Sequence, residues 1–237
     1  MRSTFQSDSN PVSIDYFLPS REGAFPIVIA LHGSGGLSHS GHLDFAQWLA
    51  DRGFCLFVPH YFESTGTVWA SEATIWREFP AWLRVVSDAI DFASQIPAAD
   101  ASRIGIVGFS LGAYLALSIA SQEARISAVV DFFGGMPEHF AERLEHIAPV
   151  LILHGEADPV VPVEEAHKIA RLLDARYASA ILRKDIYRYS ALEERESVRR
   201  FLGARVPHHG RHPASSAATG ARLHQADART PGHFNPA

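Results

Sequence analysis

A serine becomes reactive only when its surroundings sharpen it, and one serine in this chain has the right neighbours. Gly108-Phe109-Ser110-Leu111-Gly112 is a G-x-S-x-G that follows the apolar run RIGIVGF and opens the helical stretch LGAYLALSIA. A strand that turns directly into a helix needs small residues on both sides of the turn, and Gly108 and Gly112 supply them. Such a turn lifts Ser110 above the C-terminal edge of a sheet. It also aims the first N–H groups and the positive end of the helix at the oxygen of a reacting carbonyl. The chemistry this implies is attack of Ser110, as catalytic nucleophile, on an acyl carbon.

A hydroxyl at its ordinary pKa is a weak nucleophile, so a base must take its proton and a carboxylate must orient the base. Asp158 is the best-placed carboxylate: it stands in LHGEADPVVP, just past a later strand, where the order serine, acid, histidine requires it. Asp131, also near a strand end, is the weaker competitor. Two donors are needed for the oxyanion. Leu111, next after the nucleophile, offers one, and Ser34 in the turn His32-Gly33-Ser34-Gly35-Gly36 offers the other, with glycines that let the backbone approach a substrate. His32 reads as a structural member of that turn.

These residues must be carried by elements whose order the apolar pattern gives. Val12 to Leu18 alternates and reads as an edge strand, whereas Phe25 to Leu31 is continuously apolar, as a strand covered on both faces must be. A helix over Leu43 to Ala50 and a strand over Phe54 to Val58 follow. Leu83, Val86, Ile90 and Ala93 then share one helical face, with Pro80 in the first turn. Strands at Arg103–Phe109, Ile126–Phe133 and Val150–His154 alternate with helices at Leu111–Ala120, Glu138–Leu144 and Glu164–Leu173. This alternation predicts an α/β fold: a doubly wound, mostly parallel sheet with helices on both faces.

With 237 residues, 47% apolar and 20% charged, the chain suits one soluble domain. We expect that domain over 1–203 and a disordered tail over 204–237, where eight Ala, four Pro and five of the 13 His leave little to bury. A net charge of −5 gives no electrostatic case for nucleic acid or an anionic membrane, so a small-molecule partner is expected. The polar N-terminus and the lack of a long apolar run predict a cytoplasmic protein. The one cysteine, Cys55, sits in an apolar run and reads as core. No phosphate-binding glycine motif appears, and His39 and His42 lack partners for a metal, so neither cofactor nor metal is expected. Trp69, Trp76 and Trp82 read as helix packing or lid residues.

LHGSGGL, VPHYF, GFSLGAYLAL, VVDFFGGMP and LHGEADPVVPVEEA, in this order and spacing, resemble the dienelactone hydrolase family of the α/β-hydrolases, from about residue 12 to about residue 175. The resemblance implies hydrolysis of a small carboxylic ester or lactone. The family often carries cysteine at the nucleophile, and Ser110 is the choice of its esterase-like relatives, which makes dienelactone itself a less suitable substrate. By the same resemblance Phe133 would line the acyl pocket and Tyr61 would lie at its mouth. A small acyl-peptidase is the alternative enzyme, since the same triad cleaves amides.

The resemblance also implies a histidine some thirty to forty residues beyond the acid, and here the chain reads Tyr187-Arg188-Tyr189-Ser190-Ala191-Leu192. After His167 the next histidines are His208, His209 and His212. Either the tail folds back and His209, or His208 beside it, is the general base, or the residues after about 178 have left the family's reading frame. In the second case the chain is a non-catalytic or vestigial member of the fold.

Overall fold

A computed structural model of the chain describes residues 1–37, 42–142, 144, 147–173, 178–183 and 192–206. Its strands are β1 (Arg2–Ser7), β2 (Asn10–Phe17), β3 (Phe25–Leu31), β4 (Cys55–Pro59), β5 (Ala99–Phe109), β6 (Ile126–Phe132), β7 (Val150–Gly155) and β8 (Ala178–Arg183). The helices are α1 (His42–Ala50), α2 (Glu72–Ser94), α3 (Leu111–Ala120), α4 (Glu138–Ala141), α5 (Glu164–Leu172) and α6 (Leu192–Arg205). All eight strands join one sheet in the order β1-β2-β4-β3-β5-β6-β7-β8. Pairing is antiparallel from β1 through β2 to β4 and parallel from β4 to β8.

The unbroken apolar runs of the central strands follow from this arrangement, since both faces of the sheet are covered. In β3, Ile27, Ile29 and Leu31 pack into a layer with Trp82 of α2, Leu115 of α3 and Ile169 of α5. Val28 and Ala30 face the other layer, with Phe45 and Leu49 of α1 and Val198 and Leu202 of α6. Cys55 is buried in the first layer, where burial pushes its thiol up to about 12 and its Sγ points to the Ala98 carbonyl at 3.3 Å.

The structure corrects the sequence reading at four places. Residues 2–7 form β1, which is the true edge, so β2 is an inner strand of the antiparallel end. The long helix begins at Glu72, capped by Ser71, and Pro80 lies inside it. Its first two turns were hidden because Ile75 and Trp76 are only partly covered and do not continue the core stripe. Residues 178–183, inside the expected domain, form a strand that the apolar pattern did not reveal, paired in parallel with β7. The helix α6 runs to Arg205 and Val206 is fully buried, which moves the domain's end beyond residue 203. Residues 207–237 of the expected tail lie outside the described residues.

Asp131, the competing carboxylate, is wholly buried one position before the end of β6. Its Oδ1 accepts the Gly134 N–H at 2.8 Å and so fastens the turn that leaves the strand, while no described residue bonds to Oδ2. Burial raises this carboxyl from its ordinary 3.8 to about 7, and the Gly134 N–H opposes part of the rise.

Two predictions follow from this packing. Val206 fills space beside Gly105 and Leu202, and burying a valine side chain contributes about 1.5–3 kcal/mol. A chain ending at Gly203 should therefore melt roughly 3–10 °C below one ending at Val206. Equal melting temperatures would contradict the packing of α6. For Asp131 the unfolded chain loses its proton near 3.8 and the folded chain near 7, so stability falls as pH rises through that window. Asp131→Asn keeps an acceptor for Gly134 and carries no charge. It should flatten the decline seen by denaturant unfolding between about pH 4 and about pH 8, and an equally steep decline in the variant would refute this origin.

Candidate active site

Ser110 joins β5 to α3 with φ 52° and ψ −119°. For a residue with a side chain this backbone costs on the order of 1–3 kcal/mol, so its surroundings must enforce it. They do so by hydrogen bonds at both ends of the residue. The Ser110 N–H donates to the Phe132 carbonyl at 2.9 Å, and the Ser110 carbonyl accepts the Ala113 N–H at 2.8 Å.

Glycine is required where the backbones meet. A Cβ at Gly108 would stand 2.2 Å from the Gly112 oxygen, and one at Gly112 would stand 2.3 Å from the Leu31 oxygen. The start of α3 is thereby pressed against the end of β3, and the turn after β3 is pressed against the nucleophile. A Cβ on Gly33 would lie 3.4 Å from the Ser110 Cβ and 4.0 Å from its Oγ.

The His32–Gly36 turn is held from below. The Tyr61 hydroxyl donates to the His32 carbonyl at 2.7 Å, and the two rings stack with centroids 4.1 Å apart. Burial lowers the His32 pKa to about 4, so at neutral pH the ring is uncharged, and its Nδ1 sits 2.8 Å from the Gly33 carbonyl. His32 is thus a structural residue, as its place in the turn suggested. Tyr61 is fully buried beneath the turn and is not at the mouth of a pocket.

Ser110 opens into a cavity of about 370 Å³ whose walls include Ser34 and Leu111. The sequence therefore named three residues that the fold brings together. As the first residue of α3, Leu111 carries an N–H with no partner in the helix's own ladder. Asp158 lies at the edge of this arrangement. Its Oδ1 accepts the N–H groups of Val160 at 2.8 Å and Val161 at 3.0 Å, and both valines line the cavity. Among the described residues no histidine hydrogen-bonds to Ser110 or Asp158. His208, His209, His212 and residues 184–191 lie outside the described residues.

Phe133 takes a different place from the expected one. Its backbone has φ 43°, and its ring packs against Phe132 at 6.0 Å and Phe109 at 6.5 Å, on the layer shared with α1 and α6. It is not among the residues lining the cavity. Tyr114, which the sequence reading passed over, does line it. The signal was available: Tyr114 is one helical turn beyond Ser110, so both belong to the same side of α3. Trp69 and Trp76 also form walls, whereas Trp82 is buried and donates its Nε1–H to Thr65 Oγ1 at 3.0 Å.

His154 is buried at the end of β7, its Nε2 2.9 Å from the Val161 carbonyl, and so braces the loop that carries Asp158. His39 lies outside the described residues, and of His42 only its place at the start of α1 is described. Among the described residues no cluster of His, Cys, Asp and Glu is arranged to hold a metal. No described helix is long and apolar enough to cross a membrane.

Comparison with known proteins places this geometry. The chain is similar to the bile acid-CoA:amino acid N-acyltransferase of Mus musculus, with 29% identity over 158 residues, 66% of this chain and 33% of that protein. It is similar to acyl-coenzyme A thioesterase 6 of Homo sapiens, with 34% identity over 128 residues, 52% of this chain and 27% of that protein. The chain thus spans about a third of the length of these curated relatives or less. Among solved structures, the acylaminoacyl peptidase of Pyrococcus horikoshii aligns with TM-score 0.72 at 15% identity, covering 90% of this chain and 42% of that one. Est1E from Butyrivibrio proteoclasticus aligns with TM-score 0.68 at 16% identity, covering 86% and 98%. These two likenesses show the α/β-hydrolase fold. The dienelactone hydrolase family model matches residues 14–188, from β2 through β8, and the chain belongs to that family.

Proposed function

We propose that this chain is a serine hydrolase that cleaves a small carboxylic ester or lactone through an acyl-enzyme, without a cofactor. The observation that carries the reading is the strained backbone of Ser110 at the head of α3, opening into a cavity walled by Ser34 and Leu111. Strain of this kind persists where the surrounding structure over-determines it, and here it exposes a hydroxyl at a helix N-terminus.

In this mechanism the Ser110 Oγ attacks the acyl carbon while the base accepts its proton. The carbonyl oxygen becomes an oxyanion held by the Leu111 and Ser34 N–H groups. The alkoxide then leaves, taking the proton from the base, and water repeats the sequence on the acyl-enzyme to release the acid. Asp158 orients the base. Its Oδ1 is engaged by the Val160 and Val161 N–H groups, which leaves Oδ2 as the oxygen for that task. His209, or its neighbour His208, is the base this reading requires.

A second reading is favoured by one feature of the sequence. The segment 184–191 between β8 and α6 contains no histidine, although the family resemblance puts the base there. On that reading the chain is a non-catalytic member of the fold. Turnover of p-nitrophenyl acetate above the background of Ser110→Ala separates the two, and an aminoacyl-nitroanilide alongside it tests for a peptidase. The serine hydrolase reading expects ester turnover that Ser110→Ala abolishes; it fails if parent and variant are equal.

Asp158→Asn should lower kcat by about ten-thousand-fold, because an amide cannot stabilise the charged base. Its melting temperature should stay close to the parent's, since the amide oxygen can still accept both backbone N–H groups. Activity within tenfold of the parent would show that Asp158 is not the acid.

A further inference from the structure

Beside the Ser110 cavity lies a second one of about 470 Å³ that the mechanism does not use. Trp76 and Tyr114 line both, so the two spaces meet at a wall of two aromatic side chains. Beyond that wall Met136, Ala141, Ile169 and Leu172, from the turn after β6, α4 and α5, form an apolar part of the lining, beside Glu138, Glu165 and Lys168. Of the three charged groups there only Lys168 is cationic, and it is engaged: its Nζ pairs with Glu165 Oε1 at 2.5 Å, and Glu138 adds its charge to the same lysine. An anionic ligand head would therefore find no unpaired counter-charge on this lysine.

Exposed apolar surface gathers at the same two cavities. Trp69 is 64% exposed, Trp76 50%, Val160 79% and Leu172 43%, and each lines one cavity or both. Leaving such side chains in water is unfavourable, and contiguous apolar patches on soluble proteins mark binding sites. Gly135 seats the Tyr114 side chain at the junction, since a Cβ there would stand 2.6 Å from the Tyr114 hydroxyl oxygen and displace it.

We propose that the second cavity is a subsite for an extended apolar acyl chain, whose carbonyl lies at Ser110 and whose far end passes Tyr114 and Trp76. The proposal rests on the ester-hydrolase reading and narrows its substrate class to esters of medium-length aliphatic acids. Each methylene drawn from water along the apolar lining adds affinity, so binding should rise with chain length until the cavity is filled.

The test separates binding from turnover. Ser110→Ala protein is titrated with methyl 10-bromodecanoate and methyl 4-bromobutanoate, whose bromine quenches tryptophan on contact. The long ester should quench and bind at least tenfold more tightly than the short one, and Trp76→Phe should remove most of the quenching. Ala141→Phe should fill the second cavity and erase the advantage of the long chain. Leu172→Glu, at an exposed position where folding is undisturbed, should weaken the long ester and spare the short one. Equal binding of the two esters, or a chain-length preference unchanged in both cavity variants, would overturn the proposal. If the parent turns over neither p-nitrophenyl acetate nor p-nitrophenyl decanoate while the chain-length dependence of binding holds, the hydrolase reading fails and the cavity stands as a binding site for an apolar chain.

Discussion

The site depends on a contact between backbones that leaves no room for a side chain. Gly112, in the first turn of α3, lies so close to the end of β3 that a Cβ would overlap the Leu31 and His32 carbonyls. Gly108 is closed in the same way by Gly112 and Ala113. Because these approaches exist, α3 begins directly above the sheet and Ser110 has only its strained backbone available. The Phe132 carbonyl and the Ala113 N–H then hold it there. A serine elsewhere on the surface could be equally exposed, but it would lack the helix N-terminus behind it and the His32–Gly36 turn in front of it.

The two other turns around Ser110 are fixed by buried polar groups. Below the His32–Gly36 turn, the buried Tyr61 hydroxyl donates to the His32 carbonyl, and the uncharged His32 ring stacks on Tyr61. After β6, the Asp131 carboxyl grips the Gly134 N–H, and Gly134 in turn sits against Ala113 and the Ser110 carbonyl. A buried carboxyl with one oxygen unpaired is costly when charged, which is why it holds its proton up to about 7. Both groups serve the position of the nucleophile through backbone geometry, and neither touches the acyl carbon in the mechanism.

Much of this was legible in the sequence, and the reasons differ by residue. The bounds of β3 and α3 could be read because β3 is buried throughout and ends at a glycine-rich turn, while α3 starts at one and is buried at every position but Tyr114. Ser110 and Leu111 stood out because a strand-turn-helix with flanking glycines has few alternatives, and Ser34 because its glycine-rich turn ends an earlier buried strand; all three line one cavity. Tyr61 and Phe133 were misplaced because their roles came by resemblance. Their own signals are local: a hydroxyl satisfied by a buried carbonyl, and a positive φ that turns a ring into the opposite layer. The edge strand β1 and the first turns of α2 escaped notice because half-exposed residues carry no core pattern. The burial of Val206 could not be foreseen, since its partners Gly105 and Leu202 come from a distant strand and the preceding helical turn.

The central claim is that the fold makes Ser110 a nucleophile. Its most direct measurement is reaction of the folded protein with a fluorophosphonate, followed by intact mass and peptide mapping. The account predicts one adduct per chain, on Ser110, lost on unfolding and absent from Ser110→Ala. A folded protein that takes up no adduct, or takes it up at another residue, would contradict it.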